Sequence, residues 1–199
     1  MTDHPTSRTF GNASHVSQRI SIPGMPGYEG GPPSPAFEVS WELFGELCRA
    51  LALRVYREYD PDLVVGIATA GVIPAAVIAD ILQIDFYGMK ISRRSDRQRV
   101  STDPVLYSTA PVQAAGRRVL LVDEITTSGD TLRLALASLR DVGPAEVRTA
   151  TCFSRPAGYQ PDYHALATDD LIVFPWDRQV IEAGQFVVHP TYRASIDPA

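Results

Sequence analysis

From Phe37 onward the chain moves between two hydrophobic rhythms. Phe44, Leu47, Cys48, Leu51, Ala52 and Val55 recur at helical spacing, which predicts an amphipathic helix over Trp41–Glu58 with Ser40 as its N-cap. Tyr59-Asp60-Pro61-Asp62 ends it. Leu63–Ile67 is a short, continuously apolar run, as expected of a strand buried on both faces. The small-residue turn Ala68–Gly71 leads into a helix over Ile73–Leu82, where Pro74 is tolerated in the first turn. Further strands are expected at Asp85–Ile91, Arg118–Val122, Glu146–Phe153 and Leu171–Phe174, with a helix at Asp130–Asp141 closed by Gly143-Pro144. Ser92–Gln113 is polar and aperiodic, carries Arg93, Arg94, Arg97 and Arg99, and reads as a long loop.

Strands alternating with helices predict a doubly wound α/β fold around a mostly parallel, five-stranded sheet. Such sheets bind ligands beyond the carboxyl ends of their strands. Ala68–Gly71, Asp123–Thr131 and Ser154–Pro156 all leave strands at that end, so a site is expected where they converge. Residues 1–36 are rich in Ser, Thr, Gly and Pro and bring too little apolar surface to offset the entropy of ordering them. They are expected to be a mobile tail, with a strand-like patch at Arg19–Ile22, ahead of one domain over residues 37–199.

Composition narrows the classes. The formal net charge of −5 gives a field that favours neither duplex DNA nor an anionic membrane. No apolar run approaches the roughly 20 residues of a membrane helix, and the start of the chain lacks a basic segment followed by an apolar one. The expectation is a cytoplasmic protein with no membrane or nucleic-acid partner. Cys48 and Cys152 sit in apolar-periodic segments without metal-ligand spacing, so they are expected to be small buried hydrophobes in a reducing compartment. His164 and His189 have no evident partners and are expected at the surface.

The informative segment is Val119-Leu120-Leu121-Val122-Asp123-Glu124-Ile125-Thr126-Thr127-Ser128-Gly129-Asp130-Thr131. An apolar strand ends in two adjacent carboxylates, and a hydroxyl-and-glycine turn then opens a helix. The helix N-terminus and the N–H groups of Thr127–Thr131 make an anion site, with hydroxyls of Thr127, Ser128 and Thr131 as added donors. Gly129 lets the backbone approach a phosphate. Adjacent carboxylates accept hydrogen bonds from vicinal hydroxyls, or hold a Mg²⁺ that a diphosphate also ligates. A Walker loop is excluded because no Lys follows the glycine.

This segment resembles the phosphoribosyl pyrophosphate (PRPP) signature of type I phosphoribosyltransferases, and the resemblance extends over Phe37–Asp177. Trp41–Leu47, Pro61–Ala68, Ile73-Pro74-Ala75 and Ile172–Asp177 bring it nearest to the xanthine/hypoxanthine/guanine group. The resemblance implies an Mg²⁺-dependent transferase that moves phosphoribosyl from PRPP to a nucleobase, a 6-oxopurine, in purine salvage, releasing pyrophosphate. It implies a small hood built from the chain ends, and a homodimer. Asp123 and Glu124 would hold the ribose hydroxyls, directly or through the metal; Thr127–Thr131 would cradle the 5′-phosphate. Thr69, Ala70 and Gly71 would form the pyrophosphate loop, and Ser92–Gln113 a loop closing over the transition state.

Four positions depart from the group's pattern. Thr69-Ala70-Gly71 lacks the basic residue that usually faces the leaving group, for which Arg93 or Arg94 are the substitutes at hand. Thr127 stands where many 6-oxopurine enzymes place an aspartate, and a hydroxyl is no general base near neutral pH. Arg155 replaces a lysine that reads the exocyclic oxygen, exchanging a point charge for a planar fork. Leu171 replaces the ring that stacks on the base, beside Ile172; Trp176 either restores a stacking ring or only packs after Pro175. With PRPP contacts kept and base contacts altered, the competing expectation is a non-catalytic PRPP-binding regulatory protein.

Overall fold

The computed structural model describes residues 36–95 and 99–196; the side chains of residues 94–102 lie outside that description, as does the strand-like patch expected at Arg19–Ile22. Helix α1 (Trp41–Glu58) begins and ends where the hydrophobic spacing predicts, and Ser40 Oγ accepts the Leu43 N–H at 3.2 Å. Its stop is chemical as well as steric. Asp60 turns the chain at φ 52°, and the Asp62 carboxylate accepts the Arg118 backbone N–H at 2.9 Å. The Tyr59 hydroxyl lies 3.1 Å from the carbonyl oxygens of both Val119 and Glu146. The helix end is thereby pinned to the start of two strands.

Those strands belong to one sheet formed by β2 (Leu63–Ala68), β3 (Asp85–Ser95), β4 (Arg99–Leu106), β5 (Arg118–Thr126), β6 (Glu146–Ser154) and β7 (Tyr163–Ala167), in the order β4-β3-β2-β5-β6-β7. Five of them, β2, β3, β5, β6 and β7, are mutually parallel; β4 adds an antiparallel edge. Helix α2 (Val72–Leu82) packs with α1 on one face and α3 (Asp130–Val142) covers the other. The continuous apolar runs follow from this doubly wound arrangement. Val64 faces one core while Leu63, Val65 and Ile67 face the other, all at most 2 % exposed. Each such side chain stabilises the fold by roughly 1.5–3 kcal/mol.

Two expectations need correction. The fifth parallel strand is Tyr163–Ala167, not Leu171–Phe174. Leu171–Val173 forms β8, which pairs instead with β1 (Ala36–Glu38) outside the main sheet, Phe37 opposite Ile172. A three-residue apolar run carries no information about which sheet it joins. Nor is 92–113 an aperiodic loop. β3 continues to Ser95 and returns as β4, with a register shift between Ser92 and Arg94, and Val112–Ala114 follows as a 3-10 turn. These strands run past the core, so no burial rhythm marks them, and Pro104 is accommodated because β4 is an edge strand.

The hood consists of β1 and β8, the antiparallel hairpin β9 (Gln179–Glu182) and β10 (Gln185–Val188), and a short α4 (Arg193–Ile196). Leu171, Val173 and Tyr192 form its own small core. Cys48 on α1 and Cys152 on β6 are fully buried free thiols, as expected. Among the described residues no helix is long and apolar enough to cross a membrane.

Candidate active site

The carboxyl ends of β2, β5 and β6 bring three turns together. After β2, the Ala68–Thr69 peptide is cis, Thr69 is exposed, and Gly71 is buried at the start of α2. Gly71 is required by a close approach. A Cβ there would stand 2.6 Å from Asp123 Oδ1 and 2.7 Å from the Ile67 carbonyl oxygen, and neither the backbone nor so short a side chain can retreat. Gly71→Ala is expected to displace the 68–71 turn from Asp123 and to weaken anion binding there; loss of affinity for inorganic pyrophosphate by calorimetry checks it.

Asp123 lies on β5, three residues before its end, and is 8 % exposed; its Oδ1 accepts the Glu124 backbone N–H at 3.0 Å. Burial first, and then the negative charge of Glu124, hold the Asp123 carboxyl well above the usual carboxylate range. The sign for stability follows. A carboxyl whose pKa is raised by folding favours the fold below its unfolded value, near roughly 3.9, and loses that contribution as pH rises toward the folded value. Asp123→Asn, which keeps the acceptor and removes the charge, should therefore raise the melting temperature of the ligand-free protein at pH 7–8. The gain should fade as pH falls toward about 4, where the unfolded carboxyl also takes up its proton. Melting curves at the two pH values check it.

The next turn is built around Ser128, Gly129 and Asp130. Gly129 sits at φ 81°, and any side chain on it would overlap the Tyr159 ring. Tyr159 N–H donates to the Thr127 carbonyl at 2.9 Å, so the segment after β6 wraps the turn. Arg93, reaching from the β3–β4 hairpin, donates through Nη2 to Asp130 Oδ2 at 2.9 Å and to Ser128 Oγ at 3.1 Å. Arg133 donates to Asp130 Oδ1 at 3.0 Å and to the Ser128 carbonyl at 2.8 Å, and its guanidinium lies 5.0 Å from the centre of the Tyr159 ring. The Ser128 hydroxyl, and then Arg93, hold the Asp130 carboxyl below the usual range. Two guanidinium groups and the α3 N-terminus, whose first amides have no intrahelical acceptor, thus flank Thr127 and Thr131. Ile125 packs against the core and Thr126 is buried. The side chain of Arg94 lies outside the described residues. Arg133 is legible in the sequence as an i, i+3 partner of Asp130; the Tyr159 contact is not, because it depends on how the chain folds back after β6.

Arg155 leaves β6 beside this turn. Its Nη1 donates to the carbonyl oxygens of Thr168, at 3.0 Å, and Asp170, and burial lowers the pKa of its guanidinium. Leu171 is buried against Val173 and Tyr192, and Ile172 lies in the main core. Trp176 stacks on Phe174 at 4.7 Å and 14° and meets Phe44 edge-on at 5.0 Å. With Trp41 and Phe186 it lines a groove of about 550 Å³ at the start of α1. The structure therefore gathers Thr69–Gly71, Asp123–Thr131, Arg93 and Arg155 at the strand ends, and seats Trp176 in a separate aromatic stack.

Residues 39–183 match the phosphoribosyl transferase domain family. The chain belongs to that family. It is 32% identical over 157 residues to a xanthine-guanine phosphoribosyltransferase of Nitratidesulfovibrio vulgaris, covering 76% of this chain and 88% of that one. It is 31% identical over 158 residues to a protein of the same description from Cereibacter sphaeroides, covering 73% and 89%. Among solved structures, a purine phosphoribosyltransferase from Pyrococcus horikoshii superposes with a TM-score of 0.64 at 29% identity, covering 74% of this chain and 98% of that one.

Proposed function

We propose that this protein transfers the phosphoribosyl group of PRPP to a purine carrying a 6-oxo group, releasing pyrophosphate, in the cytoplasm and as a homodimer. The observation that carries the reading is the contact of the Gly71 turn with Asp123 beside the Arg93- and Arg133-flanked turn at Thr127–Thr131. Those features suit a ligand with a phosphate at one end, vicinal hydroxyls in the middle and a diphosphate at the other. The names of the relatives, which specify xanthine, guanine or purine, support the base.

A divalent cation fits the donor set. Among the described residues no cluster of three or more His, Cys, Asp or Glu side chains could enclose a metal; the adjacent carboxylates at the strand ends are Asp123 and Glu124. That is the pattern Mg²⁺ accepts, one or two carboxylates with substrate oxygens and water completing the shell. When bound, Mg²⁺ would neutralise charge on the diphosphate. Asp123 and Glu124 orient the ribose through its hydroxyls. Thr127–Thr131 fix the 5′-phosphate through backbone N–H groups, and the Gly71 turn presents its amides to the leaving group. Positioning, charge neutralisation and exclusion of water account for the rate. Arg155 donates to the exocyclic oxygen of the base. The base nitrogen bonds the anomeric carbon as the bond to pyrophosphate breaks, and with Thr127 in place of a carboxylate the base's N–H proton passes to the departing pyrophosphate.

Thr127, together with the cation-free Thr69-Ala70 turn, favours one second reading, a protein that binds PRPP and does not turn it over. Pyrophosphate release from Mg²⁺-PRPP with a panel of purines, pyrimidines and ammonia separates them. Release that depends on an oxopurine is expected; binding of PRPP without release for any acceptor would establish the second reading.

A further inference from the structure

We propose that Thr151 is a positioning residue for Asp123, its hydroxyl orienting the carboxylate when Mg²⁺-PRPP is bound. The inference rests on the reading of Asp123 as a ligand of PRPP or its metal. It begins from an unsatisfied group. Thr151 is fully buried in the middle of β6, and its Oγ1 has no hydrogen-bond partner among the described residues. A buried hydroxyl is costly to leave without a partner, and such a group in a native fold calls for a reason.

The strand register supplies one. Thr151 is the direct cross-strand partner of Asp123 in the parallel β5–β6 pair. Opposed residues in a paired ladder share one face of the sheet, so the side chains of Asp123 and Thr151 are neighbours across the two strands. Asp123 Oδ1 is already engaged by the Glu124 N–H at 3.0 Å, and Gly71 approaches it so closely that a Cβ there would stand 2.6 Å away. The carboxylate is therefore fixed on one edge, and Thr151 is the polar group beside it within the sheet. On its other side Thr151 faces His164 on β7, with which it makes no hydrogen bond.

A hydroxyl that donates to a metal- or hydroxyl-bound carboxylate fixes the direction of its lone pairs. Groups that act in this way behind a ligand typically contribute 10–100-fold to affinity or activity. In the ligand-free protein the hydroxyl is idle, so its removal should leave the fold unharmed.

Thr151→Val keeps the shape and removes the hydroxyl; Thr151→Ser keeps the hydroxyl and removes the methyl. Calorimetry with Mg²⁺-PRPP on the full-length protein, beside melting curves without ligand, distinguishes the roles. The valine variant is expected to melt at or above the wild-type temperature and to bind about 10–100-fold more weakly; the serine variant should bind within about threefold of wild type. Three results overturn the proposal: wild-type affinity in the valine variant, equal loss in both variants, or a lower melting temperature for valine than for serine, which would show the hydroxyl already partnered in the empty fold. Absence of PRPP binding by the wild-type protein would instead overturn the reading of the site itself.

Discussion

Replacing Asp123 and Glu124 together by Asn and Gln is expected to weaken Mg²⁺-PRPP binding by about 100-fold or more. Two charged acceptors follow one another near the end of β5, one of them 8 % exposed and closely approached by Gly71. Each loses a charge-assisted contact worth about 1.5–3 kcal/mol, and the pair loses its attraction for the cation as well. Misfolding is not the expected source of the loss, because neutralising Asp123 removes a buried charge that is unfavourable in the empty fold. The double variant should be at least as heat-stable as the wild type while calorimetry shows its affinity gone. Equal affinity in the two proteins would reject these carboxylates as the ribose and metal contacts.

Arg155→Ala is expected to lower kcat/KM for an oxopurine by roughly 30–150-fold, corresponding to about 2–3 kcal/mol for a charged contact to a buried oxygen. Affinity for PRPP should barely change. Arg155 also holds the Thr168 and Asp170 carbonyls through Nη1, so the same substitution loosens the link between β7 and β8. Arg155→Lys separates the two functions. It keeps a cation near the exocyclic oxygen but cannot reach two carbonyls and a ligand with a fixed fork, and its kcat/KM should fall between those of wild type and alanine. Turnover of oxopurines by the alanine variant at the wild-type rate would remove Arg155 from the base site.

The sequence carried most of the fold through burial. Helix α1 is legible to the residue because one apolar stripe, the Ser40 cap and the Tyr59-Asp60 stop agree. The parallel strands β2, β5 and β6 are legible because both their faces are covered. Where burial is one-sided the pattern fades. Tyr163-His164-Ala165-Leu166-Ala167 lies at the sheet edge, with Leu166 and Ala167 exposed, and lacks β-branched residues. The outer parts of β3 and β4 extend beyond the core, so their polar residues look like a loop.

The candidate site divides along the same line. Asp123–Thr131 is contiguous, and a carboxylate pair before a glycine-hydroxyl turn is unusual enough to stand out locally. Arg93 is legible only as one of two candidates, with Arg94; what singles it out is the reach of the hairpin to Asp130. Thr151 gives no local signal at all, since its meaning depends on a register that places it opposite Asp123. Leu171 shows the reverse. A leucine at the family's stacking position suggests a wall for the base, and the structure covers it with Val173 and Tyr192.

The most direct measurement offers the protein Mg²⁺-PRPP with xanthine, guanine, hypoxanthine and adenine in one mixture and identifies the nucleotides formed by mass spectrometry. An Arg155 fork reading an oxo group, with Thr127 in place of a proton acceptor, predicts the monophosphates of the oxopurines, xanthine foremost, and little or none of adenine's. Adenosine monophosphate as the main product, or no nucleotide from a protein that binds PRPP, would contradict it.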